Sequence, residues 1–194
     1  MTKLRHARLT VLLAVGLAGW ACGPTEPASV PAAPPPGPAV TRSPVALITL
    51  DALKSAEYPS DLPAGKKVRL MDGRYEEAIQ AGAATRLVIT LHPVYAHGDL
   101  NGDGADDAAV VLVANAGGSG AFYSVLAVLN EGGAPRPVAA DALGDRVKVD
   151  SVAIRSGQIV IQMVTHGPQD PLCCPTQQAT RSFRLQGERL VPVP

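Results

Sequence analysis

Aromatic side chains are scarce in this 194-residue chain: four Tyr, two Phe and one Trp, 4 % of the residues. Tyr58, Tyr75, Phe122, Tyr123 and Phe183 are scattered through strand-like stretches, so they are expected in the core. No His-Glu-x-x-His stretch occurs, which excludes that zinc-hydrolase pattern. No serine sits in a nucleophile elbow. The glycine run at 117–120 lacks a following Lys-Ser/Thr pair, so it reads as a turn rather than a phosphate loop. No spaced pair of carboxylates reads as acid and base. No repeat recurs at a fixed period, which argues against a propeller or a solenoid. Neither sign of charge dominates, with 17 basic and 17 acidic residues.

Long apolar runs are also missing. Residues 9–18 form a short one, too short to span a bilayer as a stable helix. Lys3, Arg5 and Arg8 precede it, and small residues and Cys22 follow. This is the layout of an export signal, so the mature chain is expected outside the cytoplasm. Cys22 sits where bacterial lipoprotein signals place the cysteine that is lipidated, and the leader 1–21 resembles that class. It departs at Gly19 and Trp20, where that class usually has a Leu and a small residue. The alternative is an ordinary secreted protein with a free Cys22. The resemblance implies a membrane anchor through Cys22. Gly23, in place of an Asp, implies the outer membrane in a two-membrane bacterium.

Removing Lys3, Arg5 and Arg8 from the 17 basic residues leaves 14 against 17 acidic, a formal −3. That mild charge predicts no nucleic-acid partner and no basic membrane patch. Residues 22–44 hold Cys22 and a Pro-rich stretch, which reads as a semi-rigid tether. Residues 45–194 remain, enough for one domain with a real core.

Within that domain the apolar residues alternate with period two. Strands are predicted at 66–71, 74–76, 86–91, 108–114, 121–129, 146–154, 158–164 and in two final stretches, Arg-Ser-Phe-Arg-Leu and Arg-Leu-Val-Pro-Val. Asp72-Gly73 and Ser156-Gly157 are hairpin signals. Residues 47–56 alone look helical. The prediction is a mainly β, single-domain antiparallel fold of eight or nine strands with at most one short helix; an α+β arrangement stays open.

Residues 99–107, Asp-Leu-Asn-Gly-Asp-Gly-Ala-Asp-Asp, crowd four carboxylates around two glycines. Convergent carboxylates repel by on the order of 1 kcal/mol per pair even at water-like dielectric. A hard cation such as calcium, which takes six to eight oxygens, reverses that sign. Asp99, Asn101, Asp103 and Asp107 are spaced to supply oxygens, Ala105 offers a backbone carbonyl, and Gly104 permits the sharp turn. An EF-hand is excluded because the position that needs a Glu is Val110. The alternatives are an Asx/Gly turn without an ion, or another metal. The stretch resembles the calcium loop of FG-GAP repeats. That resemblance implies ligation by Asp99, Asn101, Asp103, Ala105 and Asp107, with Asp106 pointing outward. It covers this loop and the strand after it, and one copy makes no propeller. The order of motifs from Asp99 through the stretches at 117–123, 143–149 and 154–161 resembles an uncharacterised family of bacterial lipoproteins and periplasmic proteins. That family implies export and a β-rich domain but no activity.

Residues 166–176 hold the adjacent pair Cys173 and Cys174, with His166 and Asp170 nearby. In an oxidising compartment they are expected to form a vicinal disulfide serving as a staple. A redox switch, a soft-metal site with His166, and free or intermolecular thiols are the alternatives. His92 and His97 flank the approach to the acidic loop and read as hydrogen-bonded or surface residues, with His97 near enough to support the loop. Three functional expectations follow. The first is an exported, lipid-anchored, non-enzymatic binding or structural domain with one calcium ion. The second is a thiol/disulfide or metal-dependent protein centred on residues 166–176, with Asp170 assisting a thiolate. The third is a subunit of a larger envelope assembly.

Overall fold

The computed structural model describes residues 46–62, 65–82 and 84–194. The leader, Cys22 and the tether lie outside the described residues. The described chain is mainly β, with one short helix and three antiparallel sheets. The strands are β1 (Glu57–Ser60), β2 (Lys66–Arg69), β3 (Arg74–Ala78), β4 (Arg86–Leu91), β5 (Ala96–Gly98), β6 (Asp107–Asn115), β7 (Phe122–Glu131), β8 (Ala134–Asp145), β9 (Lys148–Arg155), β10 (Gln158–Thr165), β11 (Gln177–Gln186) and β12 (Arg189–Val193). Among the described residues no helix is long and apolar enough to cross a membrane.

Twelve strands stand where eight or nine were expected, because β1, β5 and β8 carry weak sequence signals. β8 begins Ala-Pro-Arg-Pro, and proline gives no N–H to a ladder. It is tolerated because β8 is the edge of its sheet, paired on one side only, to β7. The helix α1 (Leu50–Lys54) is shorter than residues 47–56. Thr49 is extended, and its hydroxyl accepts the Ala52 N–H at 3.1 Å, which starts the helix later than periodicity suggests.

The sheet order is β3-β4-β6-β7-β8 with β5 also on β6, and β12-β11-β10-β9 in the second sheet. β1 and β2 form a separate hairpin. Two cores result. Between the two large sheets lie Val111, Val125, Leu143, Ile159, Met163 and Phe183. On the other face of the six-stranded sheet, Val110, Leu126 and Val128 are covered by Leu53, Tyr58 and Val68 from α1 and the β1–β2 hairpin and by Ile48, just before α1. The Tyr58 hydroxyl donates to the Leu53 carbonyl at 2.8 Å, which satisfies it inside that core.

Central strands β6 and β7 are therefore buried on both faces. That is why residues 108–114 read Ala-Ala-Val-Val-Leu-Val-Ala instead of alternating with polar residues. Four of the five aromatics expected inside are buried or partly buried. Phe122 is the exception, 46 % exposed at the start of β7.

Candidate functional site

The acidic loop joins β5 to β6. Its two ends are already paired, with Gly98 opposite Asp107 and His97 opposite Ala108. β4 and β5 pair with successive parts of β6, so the loop closes a β-hairpin interrupted at residues 92–95.

Inside the loop, Asp99 and Asp103 are hydrogen-bonded by backbone N–H groups. Asp99 accepts the Gly102 N–H at 2.6 Å and the Gly104 N–H at 2.9 Å. The Asn101 side-chain oxygen accepts the Asp103 N–H at 2.9 Å, while its amide donates to Asp103 at 2.8 Å. Asp103 also accepts the Ala105 N–H at 2.7 Å. These donors, the Ala105 N–H foremost, hold the Asp103 carboxyl below its ordinary pKa. Gly102 and Gly104 have φ of +84° and +83°, a backbone shape that a side chain resists, and this shape aims the amides inward.

Asp107 differs from the others. It is fully buried, and its two oxygens accept the Leu100 N–H and the Asn130 N–H, each at 2.9 Å. Burial raises its pKa, the two N–H donors oppose that rise, and the charges of Asp103 and Asp99 add to it. Asn130 extends the network. Its amide donates to the Asp106 carbonyl at 3.0 Å and the Ala46 carbonyl at 2.8 Å, and its oxygen accepts the Gly133 N–H at 2.7 Å. The sequence shows Asn130 only as a turn residue before two glycines. Its role in tying residue 46 to the loop depends on contacts far apart in the chain. Asp106 is exposed.

Asp99, Asn101, Asp103, Ala105 and Asp107 are thus gathered into one loop. Their donor set is all oxygen, which suits a hard cation. Among the described residues, however, no three His, Cys, Asp or Glu side chains converge closely enough to hold a metal ion. His97 is exposed and packs edge-on against Tyr95, with ring centres 5.5 Å apart. His92 is partly buried, its Nδ1 accepts the Val94 N–H at 3.2 Å, and burial lowers its pKa.

Residues 166–176 link β10 to β11. Cys173 and Cys174 form a vicinal disulfide, with Cα atoms 3.8 Å apart, and both residues are exposed. Asp170 organises the segment. Its carboxylate accepts the Gly167 N–H at 2.8 Å, the Thr176 N–H at 2.7 Å and the Thr176 hydroxyl at 2.9 Å. The Gly167 N–H is the largest influence holding its pKa down. Asp170 is thereby spent on the loop's own backbone rather than on either sulfur. His166 Nε2 lies 3.2 Å from the Leu172 carbonyl. The 117–120 stretch is the β6–β7 turn, held by Asn115, whose oxygen accepts the Gly117 N–H at 2.8 Å.

No family model, curated protein or solved structure matches this chain.

Proposed function

We propose that this chain is an exported, lipid-anchored domain of the bacterial cell envelope, acting by binding or by structure rather than by catalysis. The leader pattern, Cys22 and the Pro-rich tether support export and anchoring. The observation that carries the non-catalytic part is the commitment of the loop carboxylates. Asp99, Asp103, Asp107 and Asp170 each accept at least one backbone N–H. Those donors hold Asp103 and Asp170 below the ordinary carboxylate range, which makes them weak bases, and Asp107, whose pKa burial raises, is closed off from solvent.

The anchor has a direct test. Cys22→Ser is expected to move the protein from the membrane pellet to the soluble fraction. A wild-type chain already soluble after export overturns the anchor.

We further propose one calcium ion on the acidic loop, taken by Asp99, Asn101, Asp103, the Ala105 carbonyl and Asp107. The support is the oxygen-only donor set at FG-GAP-like spacing. A carboxylate oxygen that accepts one N–H also keeps a second lone pair for an ion. The ion supplies positive charge among like charges. Because the acids do not converge on their own, binding is expected to draw the loop tighter. Extracellular modules of this kind bind at about 10⁻⁴–10⁻³ M. Ten millimolar calcium, about ten times the upper end of that range, then contributes on the order of 1.4 kcal/mol or more. The melting temperature is expected to rise in calcium relative to EDTA, and Asp103→Ala is expected to abolish the difference. Identical wild-type melting in both buffers sinks the calcium assignment and leaves the N–H donors as the whole account of the loop.

A further inference from the structure

On the face of the six-stranded sheet that carries α1 and the β1–β2 hairpin, the cover is shorter than the sheet. The four-residue strands of the hairpin reach only about 13 Å, whereas ten-residue β7 runs about 34 Å. A cleft of about 770 Å³ lies between the sheet and residues 59–62 and 65–67 of the hairpin. That volume lies within the range of small-molecule sites. Its floor includes Leu112, Ala114 and Ala142, and its roof includes Pro59 and Leu62. The half-exposed Phe122 also lines it.

Strand register explains the empty space. Ala142 stands opposite Ser124 and Gly144 opposite Tyr123, so no large side chain rises from that part of β8. The result is an aromatic ring and an aliphatic surface left open to water beside a core in which Ile89 is fully buried. Leaving such surface wet forgoes about 25 cal/mol per Å².

Two features define what fits. Most of the lining is apolar, Pro59, Leu62, Leu112, Ala114, Ala142 and Phe122 among it, and the Ser60 hydroxyl there already donates to the Leu62 carbonyl, so the body of a matching ligand is apolar. The charged groups lining the cleft are Lys66, Lys67, Asp61 and Asp145. Asp145 is already matched by Arg146 at 2.6 Å and accepts the Ala121 N–H at 2.8 Å. Lys66 has a loose contact with Glu77 at 3.9 Å, and among the described residues Lys67 forms no ion pair. With Asp145 matched, the lining keeps two lysines against one remaining acid, Asp61.

We propose that this cleft binds an amphiphile with one anionic head, its apolar body under the hairpin and its head beside Lys66 and Lys67. The site stands independently of the anchor and of calcium.

Dodecanoate is the probe, titrated below its micellar concentration into the full chain carrying Cys22→Ser, prepared without detergent and followed by calorimetry. Saturable one-to-one binding is expected. Ala142→Phe fills the floor from a position already open to solvent, and is expected to weaken binding about tenfold or more at unchanged melting temperature. Lys66→Gln combined with Lys67→Gln is expected to weaken dodecanoate about three- to tenfold without affecting dodecanol. No saturable binding, or wild-type affinity in Ala142→Phe, overturns the site. Dodecanol binding as tightly as dodecanoate, or indifference of dodecanoate to the lysines, overturns the anionic head.

Discussion

Asp107→Ala is expected to destabilise the domain by about 2–6 kcal/mol, measured by urea unfolding in EDTA. The estimate follows from two buried donors, the Leu100 and Asn130 N–H groups, that lose their acceptor together. Each buried polar group left unpaired costs about 1–3 kcal/mol. Asp107→Asn keeps one acceptor oxygen and turns an NH₂ toward the other donor, so it is expected to cost less.

The pH dependence of that comparison has a definite sign. Burial raises the folded pKa of Asp107, so the folded state favours its protonated form. The stability from this group is fully present below the unfolded value, about 3.9. It is lost as pH rises through the folded pKa. The gap between wild type and Asp107→Asn is therefore expected to be widest in acid and to narrow as pH rises through that window. A gap that widens over the same range contradicts burial as the dominant influence. An Asp107→Ala loss under about 1 kcal/mol, the cost of a single unpaired group at its smallest, contradicts the two-donor account.

Gly98→Ala is the second large effect, expected at about 2–6 kcal/mol in the same assay. Gly98 has φ +157°, and a Cβ there sits 2.8 Å from Ile154 Cγ2 and 2.9 Å from Ile154 Cβ. A side chain on so positive a φ costs of order 1–3 kcal/mol. Overpacking adds about 1–3 kcal/mol. β5 crosses β9 at this point, so the strain falls where the sheet bearing the acidic loop meets the second sheet. Ile154→Ala in the same chain removes Cγ2 but leaves Cβ, so it is expected to relieve part of the clash and none of the backbone cost. Gly98→Ala unfolding within 0.5 kcal/mol of wild type, the ordinary range for neutral surface changes, contradicts the close approach.

Much of this architecture was legible in the residues. Period-two alternation marked nine of the strands. Ser156-Gly157 marked the β9–β10 hairpin, where both residues have positive φ as a two-residue turn requires. The pairing of Cys173 with Cys174 was expected from their adjacency and is present. β8 was not legible, because Pro135, Pro137 and Gly144 read as turn residues and only an edge position makes them compatible with a strand.

The acidic loop divides the same way. Its gathering of Asp99, Asn101, Asp103 and Asp107 followed from spacing and the two glycines. That Asp107 alone is buried did not, because its partner Asn130 is 23 residues away and is delivered by the pairing of β6 with β7. The cleft was invisible for a related reason. Nothing local in Ala142 or Phe122 says that they line a cleft beside the hairpin.

By itself the sequence determined the mainly β class, most turn positions, the clustered oxygens of residues 99–107 and the cysteine pair, because each rests on residues within about a dozen positions of one another. The tertiary structure alone decided which acid is buried, which sheet face is covered and where apolar surface stays open. Those outcomes depend on which distant strands become neighbours and on how far each covering element reaches.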